Sequence, residues 1–203
     1  IDTLAEEMMA RYNHERALVY TTIQFYRKDG LQRLEQILQR AEAGGYFVGV
    51  KIVRGAYMEK ERARAAEKGY PDPIQPDKAA TDRDFNEAVR FCIRNRGRIS
   101  LLCGSHNEDS NRILQELMVE EGLSAGDGHV WFSQLLGMSD SISFNLASAG
   151  YNVAKYVPFG PVKAVIPYLL RRAEENTSVA GQSSRELLMV RREVARRRAL
   201  RRS

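Results

Sequence analysis

Polar side chains able to do chemistry follow five short runs of apolar and β-branched residues. They are Gln24, residues 51–57, residues 105–107, Ser133 with Gln134, and Tyr156. If the five runs are parallel strands, their carboxyl ends share one edge of a sheet, which is where barrel enzymes place their active sites. We therefore expect these side chains to form a single site.

Lys51 offers the most varied chemistry of the set. It stands near the end of a buried strand and shortly before Gly55, where the backbone can approach a flat or phosphorylated ligand. A lysine in this place can form a Schiff base, anchor an anion or stabilise negative charge on a redox ring. The alternative is a structural role, in which Lys51 forms a salt bridge at the end of the strand.

A second candidate is the pair Arg171-Arg172, on a predicted helix after the last strand. Two guanidinium groups match a carboxylate, because planar bidentate donors orient it as well as neutralise it. Adjacent helical positions diverge by about 100°, so the pair converges only on a ligand beside the helix. Pairing of Arg171 with Glu175 within the helix is the alternative.

Three further residues have two interpretations each. His106 can donate a hydrogen bond to a cofactor or act as an acid–base group, and it can equally be an ordinary turn histidine. Tyr57 and Tyr156 can wall a small-molecule pocket, although each taken singly is more often a packing residue. Residue types and spacing alone therefore favour a barrel enzyme without specifying its reaction.

The elements that position these residues alternate along the chain. Strands are predicted at 17–23, 46–53, 99–103, 130–132 and 153–157. Helices are predicted at 31–43, 80–94, 110–120, 141–149, around 162–170, and at 185–200. Such alternation predicts an α/β fold with a parallel sheet, either a (βα)8 barrel or a doubly wound fold. No GxGxxG follows a strand, which disfavours a dinucleotide-binding doubly wound fold.

Composition bounds the class of protein. The chain has 203 residues, 43% hydrophobic and 28% charged, without an apolar run long enough to span a membrane, so we expect a soluble globular domain. It begins with Ile1 in place of Met, which suggests a piece of a longer chain, and its first residues do not resemble a signal peptide. Two cysteines form no disulfide framework, and three histidines lack metal-binding spacing, so we expect a reducing compartment and no metal.

The net charge of +5 is concentrated at the carboxyl end. Residues 183–203 contain eight Arg and two Glu, and the remaining 23 basic and 24 acidic residues nearly cancel. We therefore expect no nucleic-acid binding. An Arg-rich terminal helix is usually a solvated face, and less often a contact with a membrane surface or polyanion.

Four segments together resemble the proline dehydrogenase family. They are KIVRGAYM at 51–58, QLLGM at 134–138, YVPFG at 156–160 and YLLRRAEEN at 168–176, and they occur in the family's order within residues 16–176. The pattern is most similar to the stand-alone enzymes of the eukaryotic and Bacteroidetes-like branch. The resemblance implies an FAD-dependent (βα)8 barrel that transfers a hydride from C5 of L-proline to flavin N5. The product is Δ1-pyrroline-5-carboxylate, the electrons pass to a membrane quinone, and the reaction begins proline catabolism to glutamate.

The resemblance also implies roles for individual residues. Arg171 and Arg172 would clamp the proline carboxylate, Lys51 and Tyr156 would be catalytic, and Tyr57 and Leu135 would line the substrate with Tyr156. Arg54 and Lys78 would serve the phosphates or ribityl side of FAD. The full set of implied FAD-binding positions is Gln24, Val53, Arg54, Gly55, Ala56, Lys78, Thr81, Ser105, His106, Asn107 and Gln134, with Ser133 as the alternative to Gln134.

Tyr156 bears on the choice of substrate. Relatives that oxidise hydroxyproline carry a smaller residue resembling Ser at this position, so Tyr156 favours proline, and a 4-hydroxyproline dehydrogenase is the alternative. Two other classes stay open. One is an inactive fragment or adaptor that uses the basic helix, and the other is an aldolase-type barrel that uses Lys51.

The family's barrel begins before the first strand of this chain, and its substrate-pairing lysine and flavin-proximal aspartate are not found here. We therefore expect only strands four to eight, with residues 1–182 as the carboxyl-terminal part of the barrel and 183–203 as an Arg-rich helix. The expected location is cytoplasmic with a peripheral contact to the inner membrane in a bacterium, or mitochondrial in a eukaryote.

Overall fold

The computed structural model of the protein describes residues 2–55, 57–163, 165–170 and 182–200. The chain forms two compact units, residues 1–157 and 158–203. The first unit contains five strands: β1 (Tyr20–Gln24), β2 (Val48–Val53), β3 (Ile99–Gly104), β4 (Val130–Leu135) and β5 (Val153–Tyr156). Its helices are α1 (Asp2–Tyr12), α2 (Gly30–Gly44), α3 (Met58–Lys68), α4 (Lys78–Arg94), α5 (Glu108–Glu120) and α6 (Asp140–Ser148).

The strands form one parallel sheet in the order β1-β2-β3-β4-β5. A doubly wound sheet reverses its strand order at a switch point, whereas a barrel adds each strand beside the previous one. The sequential order therefore selects the barrel type of α/β fold over the doubly wound one. All five predicted strands are confirmed, with boundaries that differ by at most three residues.

Alternation along the strands separates a core face from the face that carries the site. In β2, Val48, Val50 and Ile52 are fully buried beneath the helices, while Lys51 and Val53 are partly exposed on the opposite face. The register extends this opposite face through Gln24, which pairs with Val53, and through Ser133, which pairs with Gly104. We call it the site face.

Two helices were not predicted, α1 and α3. Met9 is the only buried residue of α1 and Ala65 the only one of α3. The α3 sequence shows no apolar stripe at helical spacing, whereas α1 has apolar residues at that spacing, most of which are not buried. The predicted starts of the first two strands were also too early. Asn13 accepts hydrogen bonds from the backbone of Leu18 and Val19 and donates to the carbonyls of Val19 and Phe47, which replaces strand pairing there.

The second unit contains helical residues 162–163 and 165–170, and a helix α7 (Gln182–Leu200). On α7, Glu193 pairs with Arg196 at 2.7 Å and with Arg197 at 2.8 Å, at the spacing of neighbouring turns. These exposed pairs are those of a solvated helix face. No helix in the described part of the chain is long and apolar enough to cross a membrane.

Candidate active site

Lys51 and Tyr156 meet on the site face although their strands are not neighbours. The Lys51 Nζ atom lies 5.0 Å from the centroid of the Tyr156 ring. Gly104 of β3 leaves room for the Lys51 side chain, because a Cβ there would lie 3.3 Å from Lys51 Cε and 2.8 Å from Val53 Cγ1. Burial lowers the pKa of the Lys51 amine below its ordinary value.

Arg54 lies at the centre of a polar cluster just beyond β2. Its Nε atom is 2.6 Å from Asp82 Oδ1, and its two terminal nitrogens donate to Ser105 Oγ at 3.0 Å and Ser110 Oγ at 2.9 Å. Its guanidinium also stacks over the Phe85 ring, 4.3 Å from the centroid. Arg54 is therefore fixed by contacts from α4, from α5 and from the residue that follows β3.

Lys78 joins this cluster from the first turn of α4 by pairing with Asp82. Partial burial acts to raise the pKa of Asp82, but hydrogen bonds and positive charge from Lys78 and Arg54 outweigh it, so the pKa lies below its ordinary value. Two cations share one carboxylate, so these three side chains together carry one net positive charge. Thr81, one turn along, is buried and its hydroxyl donates to the Asp77 carbonyl.

The segment after β3 forms the amino-terminal cap of α5. The Asn107 side chain accepts a hydrogen bond from Ser110 N at 2.9 Å, and Ser105 Oγ accepts one from Asn107 N at 3.1 Å. His106 Nδ1 lies 3.0 Å from Ser139 Oγ, which joins this segment to the loop after β4. Ser139 has a positive φ of 50°, so the loop adopts an uncommon conformation at this contact.

Gln134 and Ser133 lie on opposite faces of β4. The buried Gln134 amide donates to the Ser105 carbonyl at 3.1 Å and accepts from Ser143 Oγ at 2.9 Å, so its polar atoms are held inside the protein. Ser133 pairs with Gly104 and shares the face of Lys51. Ser133, the alternative to Gln134 in the sequence analysis, therefore lies on the site face, and Gln134 does not.

The loop that follows Leu135 is held by Lys155. Its Nζ donates to the Met138 carbonyl at 2.9 Å and pairs with Asp140 at 2.7 Å. Leu135 itself pairs with Tyr156 across β4 and β5, so both predicted wall residues share the site face. Lys155 points to the other face, where it fixes this loop.

Tyr57 lies just before α3. Gly55, two residues earlier, packs against the side chain of Tyr26, which follows β1. Gly55 has a φ of +115°, and a Cβ there would lie 1.7 Å from Tyr26 Cε1. The Tyr26 hydroxyl donates to Glu61, which also pairs with Arg27. Burial and then the Glu61 carboxylate raise the pKa of Tyr26 well above its ordinary value.

The described residues therefore bring most of the expected site to one edge of the sheet. Gln24, Lys51, Val53, Leu135 and Tyr156 share the site face, and Arg54, Lys78, Ser105, His106 and Asn107 lie where the strands lead into α4 and α5. Ala56, Arg171 and Arg172 lie outside the described residues.

Sequence reasoning missed four residues that hold this site: Tyr26, Asp82, Ser110 and Lys155. Asp82 had a usable signal, since it stands four residues after Lys78 on one helix. The others bond to partners 15 to 56 residues away in the chain, and local spacing does not report such contacts.

The chain is similar to proteins of known family. The proline dehydrogenase family profile matches residues 1–185. Human mitochondrial proline dehydrogenase 1 is 42% identical over 97% of this chain and 33% of its own length. Hydroxyproline dehydrogenase from Xenopus laevis is 43% identical over 94% of this chain and 42% of its own length. The chain thus spans less than half the length of either relative.

A solved structure shows the same fold. Proline utilization A from Bdellovibrio bacteriovorus, inactivated by N-propargylglycine, superposes with a TM-score of 0.79 at 24% identity, over 86% of this chain and 18% of that chain. Its proline dehydrogenase domain is a (βα)8 barrel, which agrees with the sequential order of β1 to β5. With the family profile covering nearly the whole chain, these observations show that the chain belongs to the proline dehydrogenase family.

Proposed function

We propose that the full-length protein oxidises L-proline to Δ1-pyrroline-5-carboxylate and passes the electrons to a quinone. The observation that carries this proposal is the meeting of Lys51 and Tyr156 over Gly104 on the site face, in a chain of a flavin-dependent family. We assign β1 to β5 to strands four to eight of the barrel, with residues 1–182 as the barrel part and 183–203 as a terminal helix.

The residues present suit FAD. Arg54 and Lys78 exceed the charge of Asp82, as a pyrophosphate site requires, and both lie at the same edge of the sheet. Gly104 has no side chain on the site face, where a flat ring system needs close approach. When bound, FAD would accept the hydride from proline C5.

The chain's own residues would orient the substrate and stabilise charge. Lys51 supplies a partly buried cation, whose effect on developing negative charge is larger than in water because the local dielectric is low. Tyr57, Leu135 and Tyr156 would form an apolar wall around the proline ring. By the family motif, Arg171 and Arg172 would bind the carboxylate and so limit the orientations of C5.

A 4-hydroxyproline dehydrogenase is the second candidate. The similar identities to the human and Xenopus laevis enzymes do not discriminate between the two substrates. The Tyr156 ring is in contact with Lys51, and we infer that it would occupy the space that a hydroxyl on the substrate ring would need, which favours proline. The mitochondrial names of the relatives support a mitochondrial location if the source is a eukaryote.

The test uses the full-length protein and two variants. We expect flavin absorbance in the purified protein and proline-dependent reduction of a dye, with both kept in Lys68→Met, which replaces an exposed lysine of α3. Lys51→Met should lower kcat by about 10- to 100-fold. Absence of flavin, or of proline-dependent reduction, would refute the proposal. Covalent trapping at Lys51 by borohydride with a carbonyl substrate would favour an aldolase-type reaction instead.

A further inference from the structure

Tyr26 lies in direct contact with the backbone that leads to Tyr57. The Tyr26 residue is 1% exposed, and its ring packs onto Gly55 so closely that no side chain larger than hydrogen fits there. The positive φ of Gly55, +115°, already favours glycine at this position. The ring and the glycine therefore determine each other's positions.

The backbone reinforces this contact. Phe25 N donates to the Val53 carbonyl and Tyr26 N to the Arg54 carbonyl, each at 2.8 Å. The chain after β1 thus continues to pair with the chain after β2, beyond the last residues of both strands. These bonds fix Tyr26 relative to the start of the turn that contains Gly55.

Glu61 provides the connection at the other end of the turn. Its backbone N–H donates to the Tyr57 carbonyl at 3.0 Å, in the first turn of α3. Its carboxylate accepts from the Tyr26 hydroxyl and pairs with Arg27, which Asp29 holds in turn at 2.9 Å. Tyr26 is therefore bonded to Arg54, which follows β2, and through Glu61 to the first turn of α3.

We propose that Tyr26 and Glu61 are positioning residues that set the place of Tyr57 in the substrate wall. This inference rests on the proposed function. Tyr26 is buried beneath Gly55, so it acts through Gly55 and Tyr57. Its hydroxyl joins the ring to α3 through Glu61, and we expect its removal to leave the packing of the ring on Gly55 intact.

The kinetic test compares Tyr26→Phe with Tyr46→Phe in the full-length protein. Tyr46 is also a buried tyrosine, but it lies before β2 at the opposite edge of the sheet. We expect Tyr26→Phe to raise the KM for proline about tenfold, with kcat and flavin content within about twofold of the parent, because Tyr57 loses its fixed position. Tyr46→Phe should change neither constant.

Two further variants separate positioning from general destabilisation. Glu61→Gln retains an oxygen that accepts from the Tyr26 hydroxyl, so it should keep a nearly normal KM, while Glu61→Ala should resemble Tyr26→Phe. In a double-mutant cycle, Tyr26→Phe should add nothing to the KM of Tyr57→Ala, since both act through one side chain. Additive effects, or a Tyr26→Phe enzyme with the kinetics of Tyr46→Phe, would overturn the inference.

A measurement without turnover keeps this test independent of the reaction. Hydrogen exchange at the Glu61 amide should be faster in Tyr26→Phe than in the parent and unchanged in Tyr46→Phe. Equal exchange in all three proteins would refute the positioning role. If the parent protein fails to oxidise proline but the exchange result holds, the proposed function is wrong and the pair still fixes Tyr57.

Discussion

Lys51 of β2 and Tyr156 of β5 are in cation–π contact at 5.0 Å although two strands separate them in the sheet. The lysine chain passes over Gly104, the one position on β3 without a side chain in its path. Such a contact holds the ammonium over the aromatic face while leaving its protons available to an acceptor. The contact between Lys51 and Tyr156 therefore depends on the absence of a side chain at Gly104.

Gly104→Ala should disturb this arrangement. The added methyl would lie 2.8 Å from Val53 Cγ1 and 3.1 Å from the Ile52 carbonyl oxygen, as well as against Lys51. We expect a loss of about 1–3 kcal/mol in the free energy of unfolding and weaker flavin binding. Gly97→Ala is the matched control, because a Cβ there meets nothing within 4 Å. Equal melting temperatures for the two variants would contradict the packing described here.

Gly55→Ala tests the contact with Tyr26. A Cβ at 1.7 Å from the ring, on a backbone with φ of +115°, should cost about 3 kcal/mol or more of stability. Gly69→Ala has a similar positive φ of +70° but open space around it, so it should cost only about 1 kcal/mol. Urea unfolding of the two variants separates backbone strain from steric overlap. A smaller loss for Gly55→Ala than for Gly69→Ala would be inconsistent with the structure.

Tyr156→Ser should relax the choice of substrate. Removing the ring opens space beside Lys51, where the hydroxyl of 4-hydroxyproline would otherwise lack room. We expect the ratio of kcat/KM for proline to that for 4-hydroxyproline to fall by about tenfold or more. Tyr70→Ser, which changes an exposed loop tyrosine, should leave the ratio unchanged. An unaltered ratio in Tyr156→Ser would remove Tyr156 from the specificity role.

Asp82→Asn should change how stability depends on pH. Because the pKa of Asp82 is lower in the folded protein than in the unfolded chain, its stabilising effect is present above about pH 4 and is lost as the pH falls through the folded value. At pH 7 the variant should be less stable than the parent protein. Below about pH 4 it should lose less of its free energy of unfolding than the parent does. Asp109→Asn, at an exposed pair 3.6 Å from Arg112, is the control. Identical acid unfolding curves for Asp82→Asn and the parent would exclude this role.

The sequence by itself determined the class of fold and the edge where the site lies. Runs such as 48–53 bury every second residue, and α4 places Phe85, Val89 and Cys92 on one stripe, so the hydrophobic period specifies strand or helix without knowledge of partners. Because the strands are parallel, the polar residues at their carboxyl ends lie at the same edge of the sheet. For this reason the expected positions of Lys51, Leu135 and Tyr156 on one face agree with the structure.

Only the tertiary structure decided what each side chain touches. Arg54 is held by Asp82, Ser105 and Ser110, which lie 28, 51 and 56 residues further along the chain. Gln134 turns to Ser143 while Ser133 faces the site, a choice set by the pairing of β4 with β3. Such contacts depend on register and on the packing of whole helices, which a local pattern of residue types does not encode.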